Sequence, residues 1–87
     1  MKRSDLILPD YPLKEGDRGL HVARLQACFD TLYKLKGKKK LESIEPSYFG
    51  RITSEYVLLF QENEGIKRTA VYDRQTRQKL REVLQCR

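Results

Sequence analysis

The apolar positions fall into three stretches with helical spacing. Val22, Leu25, Phe29 and Leu32 recur three and four residues apart, which puts them on one helical face, with Cys28 at its border. They predict a first helix from about Leu20 to Tyr33, with its cap region at Asp17 or Gly19. Ile52, Tyr56, Val57, Leu59 and Phe60 give a broad apolar face and predict a second helix from about Arg51 to Glu64. Gly65 ends it, because a helix commonly closes on a residue with positive φ. Leu80, Val83 and Leu84 predict a third helix from Arg74 to about Leu84, with Asp73 as N-cap and Thr76 at its third position.

Between the helices the pattern breaks. Residues 1–19 contain Pro9, Pro12, Gly16 and Gly19 and read as an extended arm with turns, in which Leu6, Ile7 and Leu8 form a short strand or strap. Residues 34–50 form a long connection opposed to regular structure by Gly37 and Pro46, with Leu41 and Ile44 dipping back towards the core. Residues 66–72 alternate weakly and lead into a turn. The expected fold is all-α: a compact three-helix bundle, residues 13–87, preceded by an N-terminal arm, residues 1–12.

Length agrees with one domain, since 87 residues leave no room for a second core. The hydrophobic fraction of 39% is too high for a disordered chain. The longest fully apolar runs, 6–9 and 57–60, are far short of the roughly 20 residues needed to span a bilayer. The opening Met1-Lys2-Arg3-Ser4-Asp5 is followed only by Leu6-Ile7-Leu8, so no export signal is expected in this chain.

The net charge of +6 is unevenly spread. Residues 34–40 hold Lys34, Lys36, Lys38, Lys39 and Lys40 and no acid, and residues 41–66 are net −4. A lysine run around a glycine reads as a solvated loop that aids solubility. The alternative is contact with a polyanion, for which nucleic acid, anionic lipid and anionic cell-wall polymer all qualify. A recognition helix or interleaved aromatics, which sequence-specific DNA reading would need, are not evident.

Little points to catalysis. Glu62 and Glu64 lie two apart on a helix and face different ways, and His21 has no evident partner. Cys28 and Cys86 form no CxxC or His/Cys cluster at metal-ligand spacing, so no metal site or cofactor is expected. Two free thiols are expected over a bridge. The chain is therefore read as a non-enzyme.

One internal echo stands out. Val22-Ala23-Arg24-Leu25-Gln26 and Val57-Leu58-Leu59-Phe60-Gln61 share the pattern V-x-x-[L/F]-Q. Two helices with one buried pattern suggest a pseudo-duplicated fold. A glutamine beside a core face can satisfy loop groups that short helices leave open, so Gln26 and Gln61 read first as structural staples.

With these motifs the chain resembles the peptidoglycan-binding-like domain of bacterial wall hydrolases and phage lysins. The residues 13–19 fit its opening L-x-x-G-x-x-G; Val22, Leu25 and Gln26 fit V-x-x-L-Q; Phe49, Gly50 and Thr53 fit F-G-x-x-T. Val57, Phe60 and Gln61 fit V-x-x-F-Q, and Gly65, Asp73, Thr76 and Leu80 fit the closing G…D-x-x-T-x-x-x-L. The chain departs from the pattern in three places. Pro46-Ser47 stands where many members carry Asp-Gly, Ala70 stands where a glycine usually precedes the D-x-x-T turn, and the lysine-bearing connection is longer than usual.

The resemblance implies a three-helix fold and non-catalytic binding to cell-wall peptidoglycan, with a catalytic partner protein or domain. Helix N-termini would receive peptide carboxylates, and Tyr48, Arg51, Tyr72 and Arg74, with Gln61 close by, would line a shallow groove. Without an export signal, the chain would reach the wall by phage-type release or as part of a larger exported protein. The alternative is a phage or bacterial structural or interaction protein that reuses the fold, its basic loop meeting a protein or polyanion. An inhibitory propeptide of metalloprotease type is a weaker reading, because Leu84-Gln85-Cys86-Arg87 lacks the PRCG-type segment.

Overall fold

The three apolar stripes close on one another in a computed structural model that describes residues 7–85. Among the described residues there are four α-helices: α1 Leu20–Leu32, α2 Leu41–Ile44, α3 Arg51–Asn63 and α4 Arg74–Gln85. No strand forms among the described residues beyond two isolated antiparallel bridges, Leu13 with Tyr72 and Arg18 with Tyr48. The Cα radius of gyration is 11.6 Å, close to the roughly 12 Å expected of a compact chain this long.

The expected helices appear within one residue of their read boundaries, and the α1 stripe is buried throughout: Val22, Leu25, Cys28, Phe29 and Leu32. Val57 and Phe60 of α3 meet them, and Leu80 and Leu84 of α4 close the core. Phe29 packs tilted on Phe60, with ring centroids 6.0 Å apart. Two expected apolar contacts fail. Leu59 is 42% exposed, because the α3 stripe is narrower than the sequence suggests, and Ile44 is 46% exposed at the end of a helix of a single turn.

The connection after α1 is more structured than a solvated loop. α1 ends in a Schellman motif: Leu35 N–H donates to Asp30 C=O and Lys34 N–H to Thr31 C=O, with Lys34 at φ 55. A 3-10 turn over Gly37–Lys39 follows, and then α2. α2 has no side-chain cap from its own N-cap residue. Instead the buried Asp30 carboxylate accepts from Leu41 N–H at 2.8 Å and Glu42 N–H at 3.3 Å. Leu41, fully buried, anchors the turn in the core.

The arm is tied down as well. Tyr72 OH donates to Pro9 C=O, Arg77 pairs with Asp10, and Tyr11 packs tilted against His21 with centroids 4.5 Å apart. Leu8 packs on the core while Ile7 stays exposed; Leu6 lies outside the described residues. No helix of the described residues is long and apolar enough to cross a membrane.

Candidate functional site

Each V-x-x-[L/F]-Q glutamine organises a corner where a loop feeds the next helix. Gln26 is buried, and its Nε2 donates to Glu45 C=O, Tyr48 C=O and Thr53 Oγ1, while its Oε1 accepts from Ser47 N–H. Gln61 does the same one helix later. Its Nε2 donates to Thr69 Oγ1, Val71 C=O and Thr76 Oγ1, and its Oε1 accepts from the Thr69 and Ala70 N–H groups. Thr53 and Thr76 both stand at the third position of their helices, so the echo in the sequence is an echo in space. The Gln61 amide has its donors and both acceptor sites engaged, and the Gln26 amide, wholly buried, keeps one acceptor site that no solvent reaches. The structure places Gln61 wholly buried at this corner, where it staples the loop to the helix start.

The two helix starts are capped differently. At α4, Asp73 Oδ1 accepts from Thr76 N–H at 2.9 Å, as the sequence predicts. At α3, the N-cap residue Gly50 has no side chain to offer. The cap comes from Glu45, which accepts from Ile52 N–H at 2.9 Å, Thr53 N–H at 2.7 Å and Thr53 Oγ1 at 2.8 Å. Burial alone would raise the Glu45 pKa, but the hydrogen bonds from Ile52 and Thr53 outweigh it and hold the carboxyl below its ordinary value. Gly50 is required for space. A Cβ there would collide with the Glu45 carboxylate and sit 2.8 Å from the Tyr48 ring. Neither Asp17 nor Gly19 supplies a side-chain cap to α1; Asp17 instead accepts from Lys14 N–H.

The remaining sequence-predicted site residues divide between these corners. At the first, Tyr48 is half-buried under the Arg18 guanidinium, 4.3 Å from the ring centroid, and Arg51 is exposed beside Glu55. At the second, Arg74 is exposed but Tyr72 is not. Tyr72 is fully buried, its hydroxyl is spent on Pro9, and burial pushes its pKa up. The structure thus places Tyr72 in the core, beneath the cleft and not on the surface.

An open cleft of about 140 Å³ lies at the second corner, walled by Asp10, Tyr11 and Pro12 of the arm and by Arg74 and Arg77 of α4, over Tyr72. Tyr48 and Arg51 do not line it, so the two corners do not merge into one cleft. Sequence reading missed Asp10, Tyr11 and Arg77. The one available signal was that Arg77 follows Arg74 by three residues and shares its face of the helix; the arm reaches the cleft only through contacts such as Asp10–Arg77.

The five lysines of the 34–40 segment are all exposed. Among the described residues, four ion pairs form: Lys14–Asp17, Arg51–Glu55, Arg77–Asp10 and Lys79–Glu82, and none takes its base from this segment. Cys28 is a buried free thiol whose pKa burial pushes up to about 12, which makes it unreactive at neutral pH. Cys86 lies outside the described residues. No group of three His, Cys, Asp or Glu side chains among the described residues is placed to hold a metal ion. Compared with protein-family models and with curated proteins, the chain matches none.

Proposed function

We propose that this chain is a non-catalytic module of the peptidoglycan-binding type, which targets or tethers a lytic or wall-associated activity to the bacterial cell wall. The observation that carries the reading is the doubled glutamine corner. Gln26 with Thr53, and Gln61 with Thr76, join at the positions where the motifs of the resemblance demand them. That pairing supports the three-helix type, with α2 as an insertion in a lengthened connection. Function follows from type by resemblance, and the accessible chemistry suits it. The cleft at the start of α4 offers the exposed Arg74, beside an Arg77 already paired with Asp10, and an exposed tyrosine, which fit a peptide carboxylate and an adjoining sugar.

The test is co-sedimentation of the chain with purified peptidoglycan sacculi stripped of attached polymers, at low and moderate salt. Retention that survives moderate salt, and that falls in Arg74→Ala without a change in melting temperature, is the expected outcome. Absence of retention at low salt overturns the reading.

A second reading is favoured by the exposed lysine turn: a phage or bacterial interaction protein that reuses the fold and meets a protein or polyanion partner through it. Retention lost with modest salt, together with an equal response of the Arg74→Ala variant and the parent chain, would favour this reading.

A further inference from the structure

We propose that the lysine turn is a docking surface for a linear phosphodiester polymer of the bacterial surface, a partner distinct from the ligand of the α4 cleft. The choice of a wall polymer rests on the wall-binding reading above; the anionic chemistry rests on the turn itself.

Three observations carry it. The turn is built to hold its charges in place. Its ends are tied by Leu35 N–H to Asp30 C=O and by Leu41 N–H to the Asp30 carboxylate, and its middle by Lys39 N–H to Lys36 C=O and Lys40 N–H to Gly37 C=O. Leu35 packs on the core and Leu41 is buried in it, so the lysines stand on an anchored scaffold. Such a surface loses less backbone freedom on binding than a flexible loop would.

Second, the charge is uncompensated. No ion pair among the described residues uses Lys34, Lys36, Lys38 or Lys39, and Lys40 lies near enough to Glu42 to favour its charged form. Four lysines therefore remain for an external anion.

Third, the turn lacks what base recognition uses. The neighbouring aromatic, Tyr33, packs inward on Phe29 and Tyr56, with centroids 6.2 and 5.7 Å away. No ring is presented for stacking bases, and a three-residue 3-10 turn does not supply a helix for the major groove. Lysines act as compact point charges suited to phosphates spaced along a flexible chain.

Binding of the full chain to synthetic poly(glycerol phosphate), followed across salt concentrations, tests the proposal. Four phosphate contacts on a flexible chain predict a log–log salt slope of about −3. The double variant Lys38→Glu/Lys39→Glu is expected to bind about tenfold or more weakly. The control Lys67→Glu/Arg68→Glu makes the same charge change at two exposed residues outside the turn, and is expected to bind within about threefold of the parent. No binding to the polymer, equal losses in the two double variants, or tighter binding to duplex DNA than to the polymer each overturns it. Stripped sacculi carry no such polymer. Retention on them tests the cleft, and the Lys38→Glu/Lys39→Glu variant is expected to keep it, so the two readings fail separately.

Discussion

The corner around Gln61 is assembled from residues within 15 positions of it, whereas the corner around Gln26 reaches 27 positions along the chain. Both solve one problem. A helix start exposes backbone N–H groups, and the loop before it exposes carbonyls and further N–H groups. At Gln61 the answer is local: Asp73 caps its own helix, and Thr69, Ala70 and Val71 meet the amide directly. At Gln26 the connection carries a 3-10 turn and α2 before it returns, and the cap is delegated to Glu45. A long connection fits this corner because the glutamine needs only the last few residues before the next helix to arrive in place. The two corners thus share one amide arrangement across connections of different length.

The largest effect expected is the loss of either glutamine. Gln61→Ala leaves the part-buried Thr69 and Ala70 N–H groups without their acceptor, takes one donor from the Val71 carbonyl, which keeps Asp73 N–H, and opens a cavity at a fully buried site, so about 3–5 kcal/mol of stability should go. Gln26→Ala leaves the Ser47 N–H without its acceptor, takes one donor each from the Glu45 and Tyr48 carbonyls, which keep the Tyr48 and Gly50 N–H groups, and opens a cavity at a fully buried site, for about 2–4 kcal/mol. Urea midpoints rank the two. A greater loss for Gln26→Ala would mean that the long-range corner, rather than the local one, dominates stability.

Next comes Gly50→Ala, which strikes the first corner alone. Its new methyl must displace a carboxylate already held by three hydrogen bonds, or push the Tyr48 ring away. A loss of about 1–3 kcal/mol is expected, with the Glu45 cap broken. If the melting temperature of the variant matched that of the parent chain, the corner would be looser than its geometry implies.

Smaller again is the pH dependence of that cap. The folded state holds the Glu45 carboxyl below its ordinary value, so the unfolded chain takes up the proton more readily. The stabilisation is complete above the unfolded value and disappears as pH falls through the lower, folded one. Glu45→Gln should cost about 1–2 kcal/mol at pH 7 and progressively less on acidification. Urea titrations of both chains from pH 7 to pH 3 check this; a gap that stays constant with pH would remove the charge from the explanation.

These contrasts also show what could be read in advance. Val22, Leu25, Phe29 and Leu80 announce themselves by spacing, and Asp73 by standing three residues before Thr76, because those signals lie within one helix turn. Asp30 and Glu45 carry no such mark. Each is an acid in an ordinary polar position whose partners lie 11–12 residues away for Asp30, across a turn whose path depends on Leu41 finding the core, and 7–8 away for Glu45. The candidate site divides in the same way. Arg74 is visible as the first residue of a capped helix. Tyr72 shows an aromatic beside a turn, which spacing alone cannot sort into exposed or buried, and the arm that buries it binds from 63 residues away.

The smallest effect concerns the two backbone positions that serve the glutamines. Ser47 and Ala70 hold φ values of 56 and 62, in the left-handed region that side chains with a Cβ rarely enter. Each is held there with its N–H pointed at a glutamine Oε1, Ser47 to Gln26 and Ala70 to Gln61. These are the two places where the resemblance leads one to expect glycine, and both hold the left-handed backbone that glycine enters most readily. Glycine removes the steric cost of the Cβ but adds freedom to the unfolded chain, and the first term is the larger in this region. Ser47→Gly and Ala70→Gly should therefore each stabilise the protein by about 0.5–1 kcal/mol, additively, because they serve different corners. Thermal melts of the two single variants and the double variant decide the matter. A loss of stability in either would mean that its side chain makes contacts worth more than the strain it carries, and the two corners would then differ in chemistry as well as in reach.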